Sequence, residues 1–434
     1  MRSWLICLAW GSATLATGSV WAEDLSLESV VKIALTRNER AEIADQSVVS
    51  ADAAVIKARA AFLPLVTLSA GETLRPPQIV SPGGKATLRD NQATASLTVT
   101  QPLFNATSFP LYASAKHSYD AARFNHTDLR RQLAFDAARA FFSVIAQQRV
   151  LIAAKSRLDL ANATLDDTRV RAGAGLTSSN DVTRSEIDRA SADQSSIGAA
   201  DSLEAARLNL EYLIASATEI HTDLVSPSQS LAPKDLGLAG LVNLAIATRP
   251  DLASLRASAA SASALADEPD LRFVPTLSAA AQARAADQPI AADRYVGTTY
   301  ADTTLAINFN WAIWDGGSRS ADSQSRNAAR ITAELQLRAL ARRVEIDVRV
   351  AVAELNAARN SLVAAEQGQD AATRSEQETS VLYKQGLAKA IELVDGNSSK
   401  FDAEVAVAAA ELGVRQAELD LRSALGLFPI DGVQ

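Results

Sequence analysis

The chain alternates between two hydrophobic periods, and it makes the same changes twice. Residues 27 to 61 carry apolar positions at helical spacing and stop just before Pro64, which cannot continue a helix and biases Leu63 to extended geometry. The period then falls from 3.6 to 2. In "TASLTVTQPLF" (94–104), Thr94, Ser96, Thr98 and Thr100 alternate with Ala95, Leu97, Val99 and Gln101. Downstream, "TTLAINFNWAIW" sets Leu305, Ile307, Phe309, Trp311 and Ile313 against Thr304, Ala306, Asn308 and Asn310. After each such strand the helical period resumes, from about 105 to 171 and again from about 316 to 384, with Pro110 near the first start as the single proline. About 65 residues at 1.5 Å each make a rod of roughly 100 Å. Helices that long must pack side by side, as a coiled coil or a helical barrel. Leu129, Leu133, Phe141, Val144, Leu151 and Leu158 keep the near-heptad spacing this needs.

The two passes are copies. "LSLESVVKIALTRNERA" (25–41) matches "LGLAGLVNLAIATRPDL" (236–252) at an offset of 211, and the same offset relates Pro64 of "FLP" to Pro275 of "FVP" and Gly175 to Gly386. Solenoid repeats run about 20 to 50 residues, so each copy is a whole supersecondary assembly. The first repeat is expected over 23–216, with strands about 62–74 and 93–104, a long helix about 105–171 and a returning helix about 178–216. The second is expected over 236–427, with strands about 273–284 and 302–314, a long helix about 316–384 and a returning helix about 390–426. Between them, "TEIHTDLVSPSQSLAPKD" loses periodicity and marks a linker at 217–235; residues 428–434 form a tail.

Each rod ends in a similar motif, "AGAGLTSSNDV" (172–182) and "KQGLAKAIELVD" (384–395). Gly175 and Gly386 sit where a helix end favours positive φ, so a reversal into a second helix is expected. Asp181 and Glu392 then fall in the first turn of the returning helix, where an acid meets the positive end of the helix dipole. That local role suffices to explain either acid alone.

Composition narrows the function. Arg2, the mostly apolar stretch Trp4–Val20 and the small-x-small Val20-Trp21-Ala22 read as an export signal over 1–22, cleaved after Ala22. An uncleaved membrane anchor is the alternative, weakened by Gly11, Ser12, Thr14, Thr17, Gly18 and Ser19 in the apolar stretch. The sole cysteine, Cys7, leaves with the signal, which excludes disulfides, thiolate metal sites and a cysteine nucleophile from the mature chain. A net charge of −8 offers no basic footprint for nucleic acid. His117 and His126 lie nine residues apart, off the i, i+4 ligand spacing, and read as solvated; His221 sits in the linker. "GAG" at 173–175 lacks the third glycine of a dinucleotide loop, and neither GxxxxGK[ST] nor GxSxG occurs. An enzyme, a metal site and a bound cofactor are therefore not expected.

The strands point to a membrane. One greasy and one polar face suit a closed barrel in lipid, where lipid-facing and lumen-facing side chains alternate, although a single such strand also suits a soluble sandwich. Four strands cannot close a barrel alone, but several chains contributing four each could. A soluble periplasmic coiled-coil or adaptor protein is the rival reading; Phe309, Trp311 and Trp314 would give it an exposed apolar band.

The export signal, the duplication, "FLP" before a strand, "QPLF" (Gln101–Phe104) with its weaker partner "AIWDGG" (Ala312–Gly317) and the two glycine-leucine turns together resemble the TolC-type outer-membrane efflux channels, over essentially the whole mature chain. The resemblance implies a mostly α fold with a minor β part. Tandem-duplicated long helical hairpins form a trimeric α-barrel, and four strands from each of three chains build a 12-stranded transmembrane β-barrel. It further implies a homotrimer in outer-membrane lipid, extending into the periplasm. Such a channel docks on a periplasmic adaptor (membrane fusion) protein and an inner-membrane pump, as the exit duct of a tripartite efflux or type I secretion system, and binds no nucleic acid. By position, the acids ringing the periplasmic aperture fall on Glu392 and Asp395, whose i, i+3 spacing puts both on one helix face. The closing contacts map to Tyr383, Asp181, Asn180 and Lys389, with Ala388 standing where the best-known members carry arginine. Adaptor docking falls on the turns Gly175, Leu176, Thr177, Ser178, Gly386, Leu387 and Ala388, and the lipid face on Leu97, Val99, Leu305, Ile307, Phe309 and Trp311.

Overall fold

A computed structural model describes residues 26–74, 91–215, 237–287 and 299–432. The expected export signal, the linker and His221 lie outside the described residues. The elements are α1 (Leu27–Arg37), α2 (Glu39–Ala60), β1 (Leu65–Leu74), β2 (Asn91–Phe104), α3 (Ser108–Gly173), α4 (Ser179–Ile214), α5 (Gly237–Thr248), α6 (Pro250–Ala266), α7 (Glu268–Leu271), β3 (Thr276–Asp287), β4 (Thr299–Asn310), α8 (Ser318–Lys384) and α9 (Ala390–Ala424).

The stretch 27–61 is broken rather than continuous. Asn38 is extended (φ −75°, ψ 133°), and its side chain accepts from the Arg40 N–H at 2.9 Å, capping α2. At the equivalent place in the second repeat Arg249 is extended and Pro250 occupies the first turn of α6, where its missing N–H costs nothing. Different residues make the same break.

Described residues within 34–136, 231–364 and 413–434 form one compact unit, which holds the sheet. Those within 137–230 and 365–412, with the first residues of α1, form a second, which holds both glycine turns. In the first unit Leu241 and Ala245 of α5, Val344, Val348, Ala351 and Leu355 of α8, and Ala417, Leu421 and Leu425 toward the chain's end make a buried core. Its last turn is pinned: the Thr248 hydroxyl donates to the Leu425 carbonyl, and Arg422 donates to the Phe428 carbonyl and pairs with Asp431. His126, read above as solvated, instead lies 2.6 Å from Asp45, tying α3 to α2. Of the predicted heptad positions, Leu133, Phe141 and Val144 are fully buried and Leu129, Leu151 and Leu158 half-buried.

The sheet is antiparallel in the order β1-β2-β3-β4. Register sorts its side chains by chemistry. One row across the strands is Val66–Val99–Ala281–Leu305; the next row is Thr67–Thr98–Gln282–Thr304, on the opposite face. On the apolar face Leu68, Leu305 and Ile307 are each at least 75% exposed, so nothing in the described chain covers them. The second hairpin is displaced from its expected position. β3 begins at Thr276 rather than 273, because residues 272–274 turn tightly behind α7, with N–H groups of Arg272, Phe273 and Val274 donating to Pro269, Asp270 and Leu271. β4 must then end where β3 has no residue left to pair, at Asn310 opposite Thr276, rather than at 314. Trp311 accordingly lies just beyond β4, not within it. Its indole N–H donates to the Phe273 carbonyl at 3.0 Å, and the ring remains exposed. Leu97 and Phe309 are exposed on the apolar face, and Val99 is half-buried.

Among the described residues no helix is long and apolar enough to cross a membrane, and no cluster of acids, His or Cys could hold a metal ion.

Candidate aperture and docking turns

Both rods end in the same hydrogen-bonded reversal. Gly175 takes φ +70° and Gly386 φ +75°, left-handed values that glycine reaches without penalty. The Leu176 N–H donates to the Arg171 carbonyl at 2.9 Å and the Gly175 N–H to Ala172. In the second repeat Leu387 donates to Leu382 at 2.8 Å and Gly386 to Tyr383. These are paired Schellman closures, in which two bonds satisfy the last carbonyls of the helix. They leave Leu176 78% and Leu387 73% exposed, two large apolar side chains with no cover from their own chain.

The returning helices begin differently. Ser178 caps α4: its hydroxyl accepts from the Asp181 N–H, and the Asp181 carboxylate accepts from the Ser178 N–H, completing a capping box. Thr177 adds a hydroxyl bond to Asp181 at 2.6 Å. The Thr177 and Ser178 hydrogen bonds hold the Asp181 carboxyl below its ordinary value. Lys389 stands where Ser178 does in the first repeat and has no hydroxyl, so only half the box forms: Glu392 accepts from the Lys389 N–H at 3.3 Å. Glu392 and Asp395 are exposed on α9, and Asn180 is exposed on α4.

Tyr383 is buried. Its hydroxyl lies 3.3 Å from that of Thr168, which is within 3.3 Å of Ser185. The Arg171 guanidinium stacks on the Tyr383 ring at 4.4 Å and donates to its carbonyl at 3.1 Å, while its Nε binds Asp167. Burial pushes the phenol above its ordinary value, with the Thr168 bond opposing. Within one chain, then, Tyr383 meets Thr168 and Arg171, and Asp181 meets Thr177 and Ser178; the two groups mapped as closing contacts are engaged separately.

Farther along the rods from the turns, Arg157 of α3 lies 3.4 Å from buried Asp188 of α4 and 5.2 Å over the ring of Phe401 on α9. Burial raises the Asp188 carboxyl, Arg157 opposes that, and the nearby charge of Asp395 adds to it. Asp395 is thereby the one expected aperture acid brought close to the buried pair. Thr168, Arg171, Arg157 and Asp188 were not singled out from sequence. The offset hides Arg171 and Asp188, whose counterparts are Leu382 and Ser399, and nothing in a lone arginine or aspartate of a rod announces a partner on another helix.

The fold is that of solved outer-membrane channels. The chain is similar to CusC, whose crystal structures concern conformational changes accompanying folding and transmembrane channel formation, with a TM-score of 0.80 at 15% identity, covering 95% of this chain and 96% of that one. It is similar to the Campylobacter jejuni CmeC outer membrane channel, with a TM-score of 0.80 at 16% identity over 97% of this chain and 90% of that one. It is also similar to the open state of the Neisseria gonorrhoeae MtrE outer membrane channel, with a TM-score of 0.75 at 20% identity over 95% and 93%. No curated protein matches the sequence. The model of the outer membrane efflux protein family matches it twice, over residues 30–216 and 241–427, two spans 211 positions apart, and the chain belongs to that family of channels.

Proposed function

We propose that the protein is the outer-membrane exit duct of a tripartite efflux or type I secretion assembly. It works as a homotrimer in which three four-stranded sheets close a β-barrel and the paired rods line a periplasmic tunnel. The observation that supports this most directly is the sheet. Its apolar face is uncovered, and β1 and β4 are each paired on one side only. In lipid an open edge leaves backbone groups unsatisfied, so copies of the sheet must join edge to edge.

The exposed leucines at the turn tips, Leu176 and Leu387, with Thr177, Ser178 and Ala388 beside them, are the docking surface for helical hairpins of a periplasmic adaptor. Three chains bring six carboxylates of Glu392 and Asp395 around one axis, a ring that attracts cations and repels anions. Tyr383, Asn180, Asp181 and Lys389 shape its resting closure. Replacing Glu392 and Asp395 together by Ala should enlarge single-channel conductance in planar bilayers or abolish block by multivalent cations. Unchanged traces on both counts would remove the pair from the gate. Because the only native cysteine is Cys7, Leu176→Cys and Leu387→Cys give single-site cross-linking to an adaptor in intact cells. Absence of any cross-link, with normal insertion, would refute the docking role.

A further inference from the structure

On the polar face of the sheet one level differs from the rest. The described strand residues that share this face are hydroxyls, amides, alanines and similar neutral groups, except for Arg284 on β3 and Asp302 on β4. Register sets those two directly opposite each other and continues the level through Ser96 of β2 to Ser69 of β1. β1 and β3 run away from the helices and β2 and β4 run back toward them. The level stands eight residues from the helix end, where Thr276 pairs with Asn310, or about 26 Å along the strand. On β3 and β4 it therefore belongs to the third of the strand farthest from the helices.

The pairing does not exhaust the chemistry of Asp302. Its Oδ1 is shut off from solvent and has no hydrogen-bond partner among the described residues. A carboxylate oxygen left in that state is costly, and its charge is not quenched by a hydrogen bond among the described residues. Opposite charges across adjacent strands stabilise a ladder only slightly, which gives no reason to place the face's two charges at one height.

We infer that Arg284 and Asp302 form a charge filter in the outer part of the pore that acts on passing ions through the field of its charges, Asp302 favouring small cations and Arg284 small anions. The inference rests on the trimeric pore proposed above, in which three copies of the level would ring the lumen with both signs. It is distinct from the aperture acids in carrying both charges at one height and in lying in the sheet.

The test is the reversal potential of the full-length protein in planar bilayers under a tenfold KCl gradient. Glu392→Gln and Asp395→Asn are present throughout, so that the aperture charge does not dominate. Arg284→Gln should raise the ratio of potassium to chloride permeability about threefold, and Asp302→Asn should lower it by a similar factor. The double variant should return near the starting ratio, and Arg284→Lys should retain it, which separates charge from packing. Channels that conduct normally with the ratio unmoved in both single variants would reduce the pair to a ladder contact and overturn the filter. If the unsubstituted protein opens no conductance, the pore itself fails and the filter falls with it.

Discussion

At Gly426 the backbone is left-handed (φ +73°), and a Cβ built there would lie 2.7 Å from both Cα and N of Arg249. Gly386 is equally left-handed at +75° but faces open space. The two glycines separate conformation from collision. Gly386→Ala carries the conformational term alone, about 1–2 kcal/mol, and Gly426→Ala must in addition push α9 away from the start of α6. The second substitution is expected to lower the thermal midpoint in detergent clearly more than the first, by circular dichroism; equal midpoints would show that the close approach does not matter. The first repeat supports the distinction: Ala215, at the place of Gly426, adopts φ 46° with its side chain exposed. Asp181 offers a second test. Because its folded carboxyl is held below the ordinary value, the folded state binds fewer protons than the unfolded one as pH falls through that range. Its contribution is complete above about pH 4 and is lost as the pH drops through the lowered value. Asp181→Asn keeps an acceptor for Thr177 and removes the titration, so hydrogen exchange in the first turns of α4 should lose part of its acid sensitivity. An unchanged pH profile would show that the capping box is not what stabilises the turn.

Among the elements, the strands carry the sharpest prediction, because alternate residues lie on opposite faces of the sheet, one apolar and one polar. Leu305, 80% exposed and midway along β4, sits beside Thr304, whose row lies on the polar face. Arginine at a lipid-facing midplane position costs about 2–4 kcal/mol, while lumen positions tolerate charge. Leu305→Arg should sharply reduce recovery from outer membranes, and Thr304→Arg should not; equal recovery would mean the two faces are not in different media. That alternation was legible in the sequence, as were both rods and both reversals, since each rests on a local period or on a glycine at a helix end. Three features were not. The break at Asn38 depends on one side chain accepting a backbone bond, the start of β3 depends on a turn behind a four-residue helix, and Tyr383 is placed by Thr168 and Arg171 of another helix. In each case the deciding contact is invisible to periodicity.

For the whole molecule, the duplication matters through its inequality. The rod α3 buries Phe135, which is 2% exposed, but Ile346, its counterpart on α8, is 52% exposed, and Leu335 is 56% exposed. Yet α8 is not short of a core of its own, since Val344 and Val348 are fully buried in the same turns. Ile346 and Leu335 are therefore surplus to what one chain can cover, and apolar side chains in such number along a solvated helix mark a surface that awaits a partner. If that partner is another copy, as the proposed trimer requires, a charge at Ile346 would be forced into a desolvated interface while the single-chain core stayed intact. Ile346→Glu should then shift the detergent-solubilised protein from trimer toward monomer in light scattering, with helix content by circular dichroism unchanged. Val348→Ala should do the reverse, lowering the thermal midpoint through a cavity worth about 2 kcal/mol while leaving the monomer–trimer distribution alone. A trimer unmoved by Ile346→Glu would place the contact between chains elsewhere and leave this face to lipid or to the adaptor.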